Sequence, residues 1–199
     1  MNKNQFPSDV DTHSRSRLPL PKREELNEAG QQAFDRANRP GTIAGLQGPA
    51  GIQLHCPEIA PHLSALNTYF RVNAGFTPQT REIAILATAR EMDSQFEWVA
   101  HEPEALKEGV AQHVIDVIKF RRSTEGLAEH DALVIELARQ LWRDHKVAPE
   151  TFAKLNASYG PRMLINLVVL MGTYANTAAM LAVVDMQIPE GMEPLLPIP

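Results

Sequence analysis

The sequence predicts an all-α protein of six to eight helices. Three observations carry this. Apolar residues recur at helical spacing, as in Ile59, Leu63, Leu66 and Phe70. Start and stop residues punctuate those stretches, among them Pro40-Gly41, Thr77-Pro78 and Gly109. No segment alternates apolar and polar residues as a half-buried strand does, and no internal repeat is present.

Residues 1–20 are polar, lack the apolar core of a secretion signal, and read as a flexible arm. Pro21 suits the first turn of a helix running to about Arg39, with Leu26, Ala29, Ala33, Phe34 and Ala37 as its apolar positions. Pro40-Gly41 stops it. From Gly41 to Pro57, four glycines and two prolines forbid a regular helix. Ile43, Leu46, Ile52 and Leu54 are nevertheless too apolar for a solvated linker. This loop either wraps the core or lids a pocket. The stripe from Ile59 to Phe70 makes the next helix. Thr77 caps another that runs through Arg90.

Asp93 or Ser94 can cap the helix carrying Phe96, Glu97, Trp98 and His101. Pro103 should kink or restart it, and Gly109 should end it. Val114, Ile115, Val117 and Ile118 form a short helix ending near Phe120. Asp131 to His145 and Pro149 to Tyr159 are two more, and the apolar run after Gly160 is the last. The expected organisation is a single helical domain over 21–188 with an extended, proline-rich tail over 189–199.

At 199 residues, 44% of them hydrophobic and 22% charged, the chain can bury a core of ordinary size. Its net charge is −5 and it has no basic stripe, which argues against a nucleic-acid partner. Cys56 is the only cysteine, so an intrachain disulfide and an all-cysteine metal site are excluded. A reduced, cytoplasmic setting is expected. The run from Met163 to Val184 has the length of a membrane span. Its Asn166, Asn176 and small residues favour a buried central or intersubunit helix instead, with no membrane contact.

Glu97 and His101 stand four apart, so on a helix they share one face, and Ser94 joins it. Glu82 lies on the preceding helix. A carboxylate beside a histidine orients the ring and favours its protonated form, which suits general acid-base catalysis. The same spacing also describes a weak surface salt bridge. A third reading uses Glu97 and His101 as metal ligands, completed by His55, His62 or His113, though no His-Glu-x-x-His element is present. Arg71, Arg81 and Arg90 precede this helix, and a guanidinium is the natural clamp for a carboxylate unless a surface ion pair occupies it. Cys56, beside His55, reads either as an activated thiol or as a small inert hydrophobe.

The residues also resemble a known family. Arg81 to Glu91, Gln95 to Ala105 with its Glu97-Trp98-x-x-His101, Gly109, Gly48-Pro49 and Gly172-Thr173-Tyr174 look like the carboxymuconolactone decarboxylase family over most of residues 20–190. That family includes the alkylhydroperoxidase D branch, whose proton relay reads Glu-x11-Cys-x2-Cys-x3-His. Here the pattern is Glu82-x11-Ser94-x2-Glu97-x3-His101. The glutamate and histidine match, but both cysteines are replaced. Thiol peroxidase chemistry needs an attacking and a resolving thiol, so that activity is not expected.

The resemblance then implies the cysteine-free decarboxylase branch: an alkylhydroperoxidase D-like helical bundle acting on a small carboxylated lactone or aromatic ring-cleavage product. It implies His101, with Glu97 and Glu82, as the proton-transfer group. Arg71, Arg81 and Ser94 become the expected substrate contacts. No cofactor is expected, because such a substrate is its own electron sink. It also implies a homo-oligomer, a trimer or hexamer.

Overall fold

The computed structural model describes residues 6–39 and 43–198. They hold eight α-helices and, in place of any sheet, one isolated bridge between Asp11 and Ser16. The described residues fall into two compact units. One holds those up to Leu66 together with Ala179–Met192, and the other holds Asn67–Ala178 with the tail from Glu193 onward. The span 21–188 contributes to both.

In the first unit, residues 6–20 of the anticipated arm are tied down by hydrogen bonds. The Asp11 carboxylate accepts from the backbone N–H groups of His13 and Ser14, and the Arg17 N–H donates to the Val184 carbonyl at 2.7 Å. Helix α1 (Glu28–Ala37) begins later than expected, because Asn27 is its cap: the side chain accepts from the Gly30 N–H. A single 3-10 turn, Arg23–Glu25, precedes it. The expected stop at Pro40-Gly41 lies outside the described residues.

The glycine-rich stretch contains a helix after all. α2 (Pro49–Gln53) starts on a proline, whose missing N–H costs nothing in a first turn. Gly51 lets it pass close to the neighbouring chain, since a Cβ there would lie 1.9 Å from the Leu46 carbonyl oxygen. Gly51→Ala should therefore lower the melting temperature by several degrees, a displaced-backbone cost of a few kcal/mol. Gly172 lies inside a helix with open space around it, and Gly172→Ala should be neutral or stabilise by up to about 1 kcal/mol. Paired thermal melts check both.

Helix α3 (Ala60–Val72) forms where its stripe predicts, but the stripe is only partly covered. Phe70 is buried, whereas Ile59 and Leu66 are exposed.

The second unit is built around α4 (Pro78–Glu91). Thr77 caps it by accepting from the Thr80 N–H, and every residue from Thr80 to Arg90 is buried. A helix covered on all sides has no polar face. This makes α4 the central helix of the second unit. Helices α5 (Gln95–Lys107), α6 (Gln112–Lys119) and α7 (Glu129–Arg139) pack against it.

Helix α5 is continuous through Pro103. The expected restart does not occur, because buried Val99, Glu102 and Ala105 anchor the turns on both sides of the one missing donor. Gly109 ends the helix with φ +88°, and the Val110 N–H closes back on the Ala105 carbonyl. Helix α7 continues as one π-turn, Gln140–Asp144, and stops at His145 with φ +54°.

The last helical segment, α8 (Pro149–Val183), is interrupted at Gly160, whose φ of +70° is non-helical. It is long and apolar enough to cross a membrane by length and composition. In the second unit Leu164, Leu167, Leu170 and Met171 enter the core. Asn166 is also accommodated: it donates to the Ala74 carbonyl and accepts from the Tyr69 hydroxyl. The tail closes against α5. Gln95 accepts from the backbone N–H groups of Leu195 and Leu196, and Leu196 is buried.

Candidate active site

A carboxylate and a guanidinium are rare in the middle of a buried helix, because an unpaired charge there is costly. α4 carries both in succession, Arg81 and Glu82, at 7% and 1% exposure. They are paired. Arg81 Nε donates to Glu82 Oε1 at 3.1 Å. The other oxygen, Oε2, lies 2.8 Å from Nδ1 of His101 on α5. Burial opposes the charge on Glu82, but the bonds and charges of His101 and Arg81 outweigh it and hold the carboxyl below its ordinary range. Glu82 is therefore ionised near neutrality. The proton in the Glu82–His101 bond then lies on Nδ1, and Nε2 is the free ring nitrogen.

His101 is the partly solvent-reached member, with 15% of its side chain exposed. Tyr174 of α8 meets the imidazole edge-on, with ring centroids 5.1 Å apart. Its phenol is held above the ordinary range, first by burial and then by the negative charges of Glu82 and Glu97, while Arg71 and Arg81 pull the other way. Tyr174 thus sits among all four charged side chains. It is the functional candidate that sequence reasoning missed. Its signal was the family-like run Gly172-Thr173-Tyr174 in the last helix.

Glu97 lies one helical turn before His101 and is 3% exposed. Neither carboxyl oxygen has a hydrogen-bond partner among the described residues. Burial pushes its pKa up to about 8, and the nearby Ser94 hydroxyl opposes this only in part. Two carboxyls thus stand in opposite states: Glu82 ionised and paired, Glu97 neutral and unpaired. Environments that split two like groups in this way are a mark of acid-base sites.

Most of the remaining candidates are engaged elsewhere or exposed. Ser94 occupies the cap position of α5 but makes no capping hydrogen bond. Arg71 is exposed, and its Nε donates to Asn67. Arg81 is committed to Glu82, with Glu108 4.0 Å away on its other side. Arg90 is structural: it bonds the Lys119 carbonyl and pairs with Asp93. Trp98 and Glu102 form a separate buried cluster with Lys119, in which the indole N–H donates to Glu102 at 2.6 Å. His55, His62 and His113 are exposed, and among the described residues no three His, Cys, Asp or Glu side chains converge as a metal site would require. Cys56 is an exposed free thiol in the first unit.

No family model and no curated protein matches the chain. Among solved structures, it is similar to the alkylhydroperoxidase AhpD core of an uncharacterized peroxidase-related protein from Ralstonia eutropha JMP134. The two superpose with a TM-score of 0.71 at 15% identity, over 88% of this chain and 93% of the other. At that identity the likeness speaks to architecture alone. It agrees with the all-helical order α1 to α8, and the chain has the AhpD-like helical fold.

Proposed function

We propose that this protein is a cofactor-independent lyase or isomerase acting on a small carboxylated lactone or aromatic ring-cleavage product, of the type of 4-carboxymuconolactone. The observation that carries the reading is the 2.8 Å bond between the buried Glu82 carboxylate and His101 Nδ1. It fixes the ring and leaves Nε2 to exchange a proton with a substrate.

In the proposed step, the bond between the ring carbon and its carboxylate breaks, and CO2 leaves. The electron pair moves through the conjugated alkene onto the lactone carbonyl oxygen, forming a dienolate. The carbon next to that carbonyl then takes a proton from His101 Nε2, and solvent restores the imidazolium. Arg71, at the exposed edge of the set, is the proposed contact for a second carboxylate. Arg81 instead holds Glu82 in place.

The similarity to a peroxidase-related protein does not favour peroxide reduction here. That chemistry needs two thiols, and this chain has one cysteine, absent from the Glu82–His101 set. The test is CO2 release from 4-carboxymuconolactone by the wild type and by His101→Ala. The expected loss in the variant is about 100-fold or more. No turnover by the wild type would remove this substrate, and equal turnover would remove the role given to His101.

A further inference from the structure

Proton transfer by His101, held by Glu82, leaves Glu97 without a task. Glu97 is the least satisfied polar group in the second unit: buried, with both oxygens unpartnered among the described residues. The charged groups on the neighbouring helices are committed elsewhere. Arg81 and His101 bind the two oxygens of Glu82, Lys119 binds Glu102, and Arg71 is exposed and bonded to Asn67. The Ser94 hydroxyl is the one nearby group that favours the ionised form, and it does not offset burial. An ionised carboxyl there would be a buried charge without a counter-ion, so the neutral acid is the favoured form. A neutral acid still carries an O–H that needs an acceptor, and neither Glu97 oxygen has a hydrogen-bond partner among the described residues.

We propose that Glu97 acts as an un-ionised hydrogen-bond donor to a carbonyl oxygen of the bound molecule, so that the site selects carbonyl compounds reacting through an enolate. The inference rests on the reading of His101 as the proton-transfer group. It adds the group that holds the anion. The proton stays on Glu97 throughout. As negative charge grows on the carbonyl oxygen, the bond to Glu97 strengthens, while nothing of the kind happens in the ground state. A neutral donor avoids the tight ground-state grip that a second arginine would exert on a carboxylate. The division of labour is then complete: Glu82 is ionised to hold His101, and Glu97 is neutral to hold the substrate oxygen.

The test uses the whole chain and needs no turnover. The probe is 4-nitrophenol, whose phenolate carries its charge on an oxygen as an enolate does. Its binding is followed by absorbance in the wild type, Glu97→Leu and Glu97→Gln. Leucine keeps the volume and removes the donor, and glutamine restores one. The expected result is a loss of about tenfold or more in affinity for the leucine variant, with the glutamine variant within about threefold of wild type. In parallel, the infrared carbonyl band of an un-ionised buried carboxyl should be present at about pH 7 in the wild type and absent from Glu97→Gln. Equal affinity in all three proteins overturns the proposal, and so does an ionised Glu97 at that pH. Neither readout involves CO2. A failure here leaves the role of His101 standing, and a chain that does not decarboxylate the lactone can still pass this test.

Discussion

Glu97→Gln should make the protein more stable, by about 3 kcal/mol at pH 7. The carboxyl has an ordinary value of 4.5 and is raised to about 8 in the folded chain, with burial as the leading cause. From the lower value upward the unfolded chain ionises and the folded one does not. The folded state then binds more protons, and stability falls as pH rises, by about 1.4 kcal/mol per pH unit. The fall ends near the folded value. Glutamine keeps the shape and cannot ionise, so the variant lacks this slope. Urea unfolding at three pH values from acid to alkaline would measure it, with the gain smallest in acid and largest in alkali. A variant that is less stable throughout, with the slope intact, would show that Glu97 is not buried in its neutral form.

Glu82→Leu should act in the opposite direction and cost about 3–5 kcal/mol. It strips the counter-ion from Arg81, whose side chain is 9% exposed, and removes the acceptor from His101 Nδ1. Much of that cost is the stranded Arg81 charge, so the double variant Arg81→Leu/Glu82→Leu should recover most of it. The pH signature is also reversed. The Glu82 carboxyl is held below its ordinary range, chiefly by His101 and Arg81 acting against burial. Its contribution is therefore present above that range and is lost as pH falls through the lowered value. Of the two carboxyls, one weakens the fold toward alkali and the other toward acid. Between them, these two groups support the fold most close to the ordinary carboxyl range. Denaturant midpoints for the single and double variants would check the energetic part, since additive losses in the double would mean that Arg81 and Glu82 are not a pair.

Much of this was legible in the sequence, for physical reasons. Helical spacing and the caps at Thr77 and Gly109 act locally, so a linear reading finds them. The spacing of Glu97 and His101 fixed their shared face, and Glu82 was marked by the pattern Glu82-x11-Ser94-x2-Glu97-x3-His101. What the sequence did not reveal depends on contacts between distant segments. α4 can be buried on all sides because its charged side chains Arg81, Glu82 and Arg90 find partners, and a pairing of Glu82 with His101, nineteen positions apart, leaves no periodic signal. Tyr174 joins the site from α8 through a ring contact that only tertiary structure creates. The short helix α2 depended on one close approach at Gly51, which overrides the tendency of glycine and proline to break helices. Arg81 looked like a free clamp until its partner was placed.

The central claim is that His101, held by Glu82, delivers a proton to a dienolate. The stereochemistry of that delivery tests it most directly. Turnover of 4-carboxymuconolactone in heavy water should place one deuterium on the carbon next to the lactone carbonyl. A single labelled face is expected in the wild type, because the proton comes from a fixed Nε2. His101→Ala should lose both the rate and the facial preference. Equal labelling of both faces by the wild type, or unchanged rate and preference in the variant, would contradict it.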